Sequence, residues 1–121
     1  MIGDLPPAIA VLARDVEIEL AAVPSDQVLG GSPSAGAAVL GSIGGVDFGV
    51  WEHTPGVSTD NEADEVFVVI AGSATVEFDD GHPPLQLVPG TIARLSAGMS
   101  TVWTVTETLR KVYWTPSEPA A

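Results

Sequence analysis

Apolar and polar residues alternate along several stretches of this 121-residue chain, and the alternation predicts β-strands. In the clearest case Val16, Ile18 and Leu20 alternate with acidic residues, as expected for a strand with one buried face. A more uniformly apolar stretch, 65–70, predicts a strand that is covered on both faces. The remaining predicted strands are 46–53, 74–78, 85–88, 91–95, 101–106 and 109–115.

Glycine and proline mark the turns between these strands. Asp80-Gly81 predicts a tight hairpin after residue 78, because glycine adopts the positive φ that such turns need. Other predicted turns lie at Gly72, Pro89-Gly90 and Ala97-Gly98. The stretch 24–45 is predicted to be a loop with one strand around 37–40, and at most one short N-terminal helix is expected. Eight or so short strands at regular spacing predict an all-β barrel or sandwich.

The composition fits one folded domain spanning residues 1–121. Hydrophobic residues make up 45% of the chain, enough for a packed core at a length typical of one domain. The chain has no cysteine, which excludes disulfides, thiolate metal ligands and thiol nucleophiles. The apolar run near the N-terminus is short and has no basic flank, so a cytoplasmic location is expected. Residues 116–121 are expected to be a frayed tail.

The net charge of −12 narrows the possible partners. Only four residues are lysine or arginine, so the surface repels polyanions. Nucleic acid and anionic membranes are therefore not expected as partners.

A set of residues in the second half of the chain carries a family resemblance. The set comprises Gly49, Trp51, Glu52, Pro55, Gly56, Asp64, Glu65, Gly72, Pro89, Gly90, Gly98, Trp103, Arg110, Lys111 and Tyr113. In order and spacing it resembles the cupin superfamily, and more narrowly the small single-domain cupins related to ureidoglycine aminohydrolase and to the ethanolamine-utilisation cupin. The resemblance covers residues 46–114. It implies a double-stranded β-helix, the cupin jelly-roll barrel, that is commonly a homodimer, with residues 1–45 adding N-terminal strands and a loop.

The histidines of the general cupin metal site are missing. The first two histidine positions fall on Thr59 and Asn61, or on Ser58 and Asp60 with a longer spacer, and the third falls on Thr101. The two histidines of the chain lie elsewhere in the sequence. The resemblance therefore implies no cofactor and no tightly bound transition metal. A weakly bound divalent metal on Glu65 and Asp60 is left open, because oxygen donors alone favour Mg²⁺ or Ca²⁺.

Glu65 is the candidate acid or base. Alternation places Glu65, Phe67 and Val69 on the inner face of one strand, and Thr101, Trp103 and Val105 on the inner face of another. Three roles stay open for the carboxylate: a structural partner of an arginine or lysine, a ligand-binding or catalytic group whose pKa burial raises, and a weak metal ligand. Trp103 either stacks on a planar or sugar-like ligand or packs in the barrel. The predicted ligand site contains Trp103, Phe67, Thr101, Asn61 and Arg94.

Other side chains receive simpler interpretations. Trp51 and Trp114 are expected in the core or in a dimer interface, and His53 at the surface or in an interface. The acidic stretch 60–65 is expected to be a solvated loop. Arg110 and Lys111 are adjacent on a strand, so they point to opposite faces, and one of them is expected to enter the barrel and pair with Glu65. A Glu52 side chain that faced the lumen would instead stand near Glu65.

Three functions fit these observations. The first is a small-molecule-binding barrel that is metal-free or binds metal weakly. The second is an enzyme, an isomerase, lyase or hydrolase, that acts on a small polar metabolite with Glu65 as acid or base. The third is a structural or regulatory partner in a larger assembly, which a lumen filled by side chains would favour.

Overall fold

A computed structural model describes residues 4–118, which form one curled antiparallel β-sheet of nine strands. No α-helix occurs in this range, and the two helices present are 3-10 helices at Ala13–Asp15 and Ser25–Gln27. None of the helices in residues 4–118 is long and apolar enough to cross a membrane. The strands are β1 (Ala21–Ala22), β2 (Val28–Gly30), β3 (Ser34–Ile43), β4 (Val46–His53), β5 (Gly56–Asn61), β6 (Glu65–Phe78), β7 (Leu85–Leu87), β8 (Ile92–Leu95) and β9 (Ser100–Pro116).

Two long strands, β6 and β9, organise the sheet. Along one edge, β9 pairs first with β5 and then with β4, and along its other edge it pairs with β6. Strand β6 in turn pairs with β7 and β8. Register shifts between β6 and β9 bend the two strands, and the sheet curls into the predicted jelly-roll barrel.

The turn predicted at Gly72 is wrong, because β6 continues through it. Gly72 has a φ of +85°, and the register between β6 and β9 shifts on both sides of it. A positive φ serves a bulge inside a strand as well as it serves a turn. The predicted strands 65–70 and 74–78 are therefore one bent strand, and 101–106 and 109–115 are likewise joined in β9.

The N-terminal segment also differs from the prediction. Residues 16–20 keep the predicted alternation of buried and exposed side chains, but they form no strand, because the segment lies across the outer face of the sheet. Arg110 fixes it there, since its Nη1 donates hydrogen bonds to the carbonyls of Ala13 and Val16 at 2.9 and 2.8 Å. Val16 packs into a small outer cluster with Leu40 and Val50.

Two further stretches were predicted too short or missed. Strand β3 is much longer than the predicted 37–40, and β5 occupies a stretch that was expected to be loop. The sequence of β5, GVSTDN, has little apolar alternation, and backbone pairing with β2 and β9 holds it in place. At the C-terminal end Ser117 is fixed, because its backbone N–H bonds to the Gly45 carbonyl, and the rest of the predicted frayed tail beyond Glu118 lies outside the described residues.

The main core lies inside the curl. Alternate residues of β6 and β9 supply most of it, and each fully buried large side chain contributes about 1.5–3 kcal/mol relative to exposure. This packing fills part of the lumen and leaves the rest open. The buried members are Phe67, Val69, Ala74, Val76, Leu87, Leu95, Trp103, Val105 and Leu109.

Candidate functional site

A cleft of about 430 Å³ occupies the part of the lumen that the core leaves open. Strands β4, β5, β6 and β9 supply its walls, and the segment 21–24 forms part of its rim. Two tryptophans, Trp51 and Trp103, supply large apolar surfaces. The polar and charged lining residues are Gln27, His53, Ser58, Thr59, Asp60, Glu62, Glu65, Lys111 and Tyr113.

A buried ion pair lies in this cleft. The Nζ atom of Lys111 is 3.0 Å from Oε1 and 3.2 Å from Oε2 of Glu65, and the two side chains are only 5% and 14% exposed. The backbone register explains the position of the lysine, because Lys111 lies opposite Trp51 on β4 and opposite Val69 on β6. The expectation that Arg110 or Lys111 enters the barrel and pairs with Glu65 is confirmed, and the residue is Lys111.

Aromatic rings enclose the lysine ammonium. Its Nζ lies 4.4 Å from the ring centre of Trp51, 4.2 Å from that of Phe67 and 4.9 Å from that of Trp103. Such faces attract a cation, but they solvate it far less well than water does. Burial therefore lowers the pKa of Lys111, while the charges of Glu65, Glu62 and Asp60 act in the opposite direction.

A second buried carboxylate orients one of these rings. Oε2 of Glu62 accepts hydrogen bonds from Thr101 Oγ1 at 2.6 Å and from Trp103 Nε1 at 3.0 Å. These bonds satisfy the indole N–H and fix the ring in its position beside Lys111. Asp60 lies two residues before Glu62 on the same wall, and burial, followed by the charge of Glu62, raises its pKa.

His53 is buried, at 2% exposure, and not at the surface as expected. Its Nδ1 lies 2.6 Å from the carbonyl oxygen of Thr54, and since a carbonyl can only accept, Nδ1 carries the proton. Its Nε2 then accepts a hydrogen bond from Ser58 Oγ at 2.9 Å. Burial and the nearby charge of Lys111 lower the pKa of His53, so the ring is a neutral group in the cleft wall.

A family model for EutQ-like cupin domains matches residues 40–113. The chain belongs to the EutQ-like cupin family. No curated protein sequence matches the chain significantly.

Several solved structures have the same fold as this chain. The EutQ protein of Clostridium difficile is 18% identical with a TM-score of 0.69, over 89% of this chain and 86% of that one. A protein of unknown function from Rhizobium leguminosarum is 22% identical with a TM-score of 0.62, over 69% of this chain and 82% of that one. A third, from Pseudomonas syringae pv. tomato, is 20% identical with a TM-score of 0.71 over 85% of this chain, but this chain spans only 46% of its length.

These likenesses confirm the predicted superfamily and the jelly-roll fold. The family model supports the likeness to the ethanolamine-utilisation cupin. A putative EutQ from Salmonella typhimurium has the same fold, at 14% identity and a TM-score of 0.61 over 84% of this chain and 98% of that one. None of them singles out ureidoglycine aminohydrolase. At identities this low the solved structures show the fold alone.

The donor set of this EutQ-like cupin does not fit a transition metal. The general cupin site needs several imidazole or carboxylate donors that converge on one point. Here both carboxylate oxygens of Glu65 face the Lys111 ammonium, which would repel a metal cation. Residues 4–118 contain no group of three or more histidine, aspartate or glutamate side chains placed to hold a metal.

The structure brings together only part of the predicted ligand site. Glu65 and Trp103 line the cleft, whereas Phe67 and Thr101 lie behind its surface, where they contact Lys111 and Glu62. Asn61 and Arg94 are exposed and lie outside the cleft, because both alternate with inward-facing neighbours. The binding roles of the residues inside the cleft stay predictions.

Several site residues were missed or misplaced in the sequence analysis. Trp51 packs against the core, as expected, but it also lines the cleft, which was not expected. The possible meeting of Glu52 and Glu65 does not occur, because Glu52 faces outward and accepts a 2.9 Å hydrogen bond from Arg110 Nε. The acidic stretch 60–65 is not simply a solvated loop, since Glu62 is buried. Alternation along β9 could have identified Lys111 as the inward-facing cation, because residues 103, 105, 109 and 111 all face inward.

Proposed function

We propose that this cupin domain is a small-molecule-binding barrel that takes a small polar metabolite in its cleft without a tightly bound transition metal. The open cleft above the Lys111–Glu65 pair carries the proposal. A concave site with apolar walls and a few convergent polar groups is the usual form of a small-molecule site. An open lumen of this kind also argues against a purely structural role, which a filled barrel would favour.

The polar groups of the cleft are held in place before any ligand arrives. In residues 4–118 every buried side-chain nitrogen and oxygen has a hydrogen-bond partner. Trp103 is fixed by Glu62, and Lys111 is fixed by Glu65 and the aromatic rings. Such preorganisation lowers the ordering cost of binding. A buried ion pair, by contrast, contributes little net stability, which favours a functional reason for its presence.

The charges of the cleft indicate the class of ligand. Three carboxylates, Asp60, Glu62 and Glu65, face one ammonium, and His53 is neutral. The raised pKa of Asp60 reflects burial first and then the proximity of Glu62 and, more weakly, Glu65. An anionic ligand would add to this negative excess, so a neutral or positively charged metabolite fits better.

The test is a ligand screen with matched tryptophan variants. Purified protein is screened by thermal shift against small polyols, carbonyl compounds, amines and carboxylates, and hits are titrated by calorimetry. We expect saturable binding from the neutral or cationic classes, weakened by Trp103→Leu. Trp114→Leu is the control, because Trp114 is 42% exposed and lies outside the cleft. A screen in which nothing binds, or only carboxylates bind, would refute the proposal.

Metal content is measured on the same preparation, purified without chelator or affinity tag. We expect far less than one transition-metal ion per chain. A value near one Mn, Fe, Ni or Zn per chain would contradict a metal-free barrel. The expected homodimer and the cytoplasmic location stay predictions.

The second candidate is an enzyme that uses Glu65 as acid or base. The hydrogen bond between Glu65 and Lys111 favours it, because a carboxylate and an ammonium that share a proton can exchange it with a bound metabolite. If an isomerase, lyase or hydrolase activity is found on a ligand from the screen, Glu65→Gln should abolish turnover and leave measurable binding. Turnover that survives the substitution would exclude this role.

A further inference from the structure

Lys111 is the one lysine of the chain, and its surroundings differ from those of an ordinary surface lysine. Its side chain is 5% exposed, yet it forms part of the wall of the open cleft. The ammonium contacts a single carboxylate, that of Glu65, and otherwise faces the rings of Trp51, Phe67 and Trp103. A primary amine is thus presented to a ligand pocket from an apolar cage beside one proton acceptor.

We propose that Lys111 is a carbonyl-reactive amine that forms a reversible imine with a small neutral aldehyde or ketone bound in the cleft. This inference rests on the proposed small-molecule site and names the class of its ligand. The apolar cage disfavours the charged form of the amine, and a lysine that is desolvated in this way is a known kind of nucleophile. The lowered pKa of Lys111 agrees with the geometry.

Glu65 has the position needed to move the protons of this reaction. It first accepts a proton from the Lys111 ammonium, and the freed lone pair of Nζ attacks the carbonyl carbon. The carbon–nitrogen bond forms while the π electrons of the carbonyl move to its oxygen, which receives the proton from Glu65. Glu65 then removes a proton from the nitrogen and returns it to the hydroxyl group, which leaves as water. The product is an iminium ion paired with the Glu65 carboxylate, and water reverses the reaction without any oxidant or reductant.

The charge of the cleft selects among carbonyl compounds. An oxo acid would bring a carboxylate beside Asp60, Glu62 and Glu65, whereas a hydroxyaldehyde or hydroxyketone brings none. The iminium product keeps the positive charge that Lys111 had, so the pairing with Glu65 survives the reaction. Small neutral carbonyl compounds are therefore the class that the site fits.

The experiment is reductive trapping on the folded and the unfolded chain. Protein at pH 7.5 is incubated with glycolaldehyde or dihydroxyacetone and cyanoborohydride, with pyruvate as the anionic comparison, and the adduct is located by peptide mass mapping. With one lysine, the only other primary amine is the N-terminal α-amine, which mapping separates from Lys111. The same reaction in denaturing urea gives the intrinsic rate of that lysine.

The inference is tested by whether Lys111 is trapped faster in the folded chain or in the unfolded chain. A lower pKa raises the neutral fraction of the amine, so we expect trapping at Lys111 to be faster in the folded chain than in the unfolded chain. A lysine with a merely structural role would be protected and would react more slowly when folded. Slower trapping, or trapping at the α-amine alone, overturns the inference.

Two matched variants separate the role of Glu65 from general destabilisation. We expect Glu65→Gln to slow imine formation even though its lysine loses a proton more readily, because glutamine cannot deliver the proton with which water leaves. Glu52→Gln, which removes a carboxylate on the outer face, should leave imine formation unchanged. Equal rates in both variants would contradict the proton-transfer role. If the ligand screen finds binding but no imine is trapped, the carbonyl inference fails and the binding barrel stands. If neither binding nor trapping is seen, both fail.

Discussion

Replacing Glu65 by glutamine gives the sharpest test of the buried ion pair. The substitution removes the charge that faces the Lys111 ammonium while it keeps the size of the side chain. Removing one partner of a buried pair typically costs about 3–5 kcal/mol, because the other charge is left uncompensated. Total stabilities of about 5–15 kcal/mol are typical of domains, so such a loss would be large.

The lysine itself limits this loss, because it can release its proton. Its ordinary pKa is 10.5, which is 3.5 units above pH 7, and neutralising it there costs about 5 kcal/mol at about 1.4 kcal/mol per unit. The charge penalty at pH 7 therefore cannot exceed about 5 kcal/mol. At pH 9 the same arithmetic gives a limit of about 2 kcal/mol. Once the variant folds with a neutral lysine, its unfolded state binds one more proton, so its stability rises with pH.

The assay is urea unfolding of both proteins at several pH values from 7 to 9, followed by tryptophan fluorescence. We expect Glu65→Gln to lose about 3–5 kcal/mol at pH 7 and to recover by up to about 1.4 kcal/mol per pH unit. The double variant Glu65→Gln with Lys111→Met should be close to the wild type, because an apolar replacement removes both charges. Unchanged stability at pH 7, or a deficit that grows toward pH 9, would refute the reasoning.

Three further predictions concern other parts of the barrel. Because burial lowers the pKa of His53 below 6.5, the unfolded state binds more protons in that range, and urea unfolding should show stability falling as the pH drops below 6.5. Gly72→Ala should cost more stability than Gly81→Ala, although both glycines have positive φ. A Cβ at Gly72 would clash with the Thr108 carbonyl oxygen, whereas nothing lies within 4 Å of a Cβ at Gly81. Arg110→Ala should cost about 2–3 kcal/mol and remove hydrogen-exchange protection from the N-terminal segment, because it breaks two charge-assisted hydrogen bonds to backbone carbonyls.

Each of these three predictions has an outcome that would contradict it. The acid-dependent loss should be smaller in His53→Gln, and an identical loss would assign it to other groups. Equal destabilisation by the two alanine substitutions would mean that the clash at Gly72 adds nothing to the strain of a positive φ. Exchange protection that persists in Arg110→Ala would show that packing alone holds the segment.

The fold could be predicted from the sequence because it depends on local signals. The apolar alternation and the cupin residue pattern specified the all-β class and the jelly-roll barrel, and the bounds of β4 agree with the predicted 46–53. The predicted break at Gly72 failed because local sequence cannot distinguish a bulge from a turn. Strand β5 was missed because its order comes from pairing with β2 and β9, which a local pattern does not show.

The site was harder to predict, because it depends on which face each residue takes and on contacts between distant strands. Glu65 was predicted as a site residue. An inward-facing cation was also expected, because Arg110 and Lys111 are neighbours and successive side chains of a strand point to opposite faces. His53 and Glu62 were misjudged because polar residues are usually exposed, and their burial rests on partners in other strands or loops. Asn61 and Arg94 were predicted in the site, but both are exposed, and each lies one position away from an inward-facing neighbour.

The rim of the cleft is held by fewer backbone hydrogen bonds than the barrel below it. Strand β1 has two residues and is joined to β3 at Ala21 and Ala22, with one further backbone bond from Val23 to Pro33. So short a pairing can open locally without unfolding β6 and β9, which pair along most of their length. For a ligand bound as proposed, local opening of this rim would set the residence time, whereas contacts with the rigid floor would set the affinity. Variants of residues 21–24 could thus tune how fast a ligand exchanges without changing how tightly it is held.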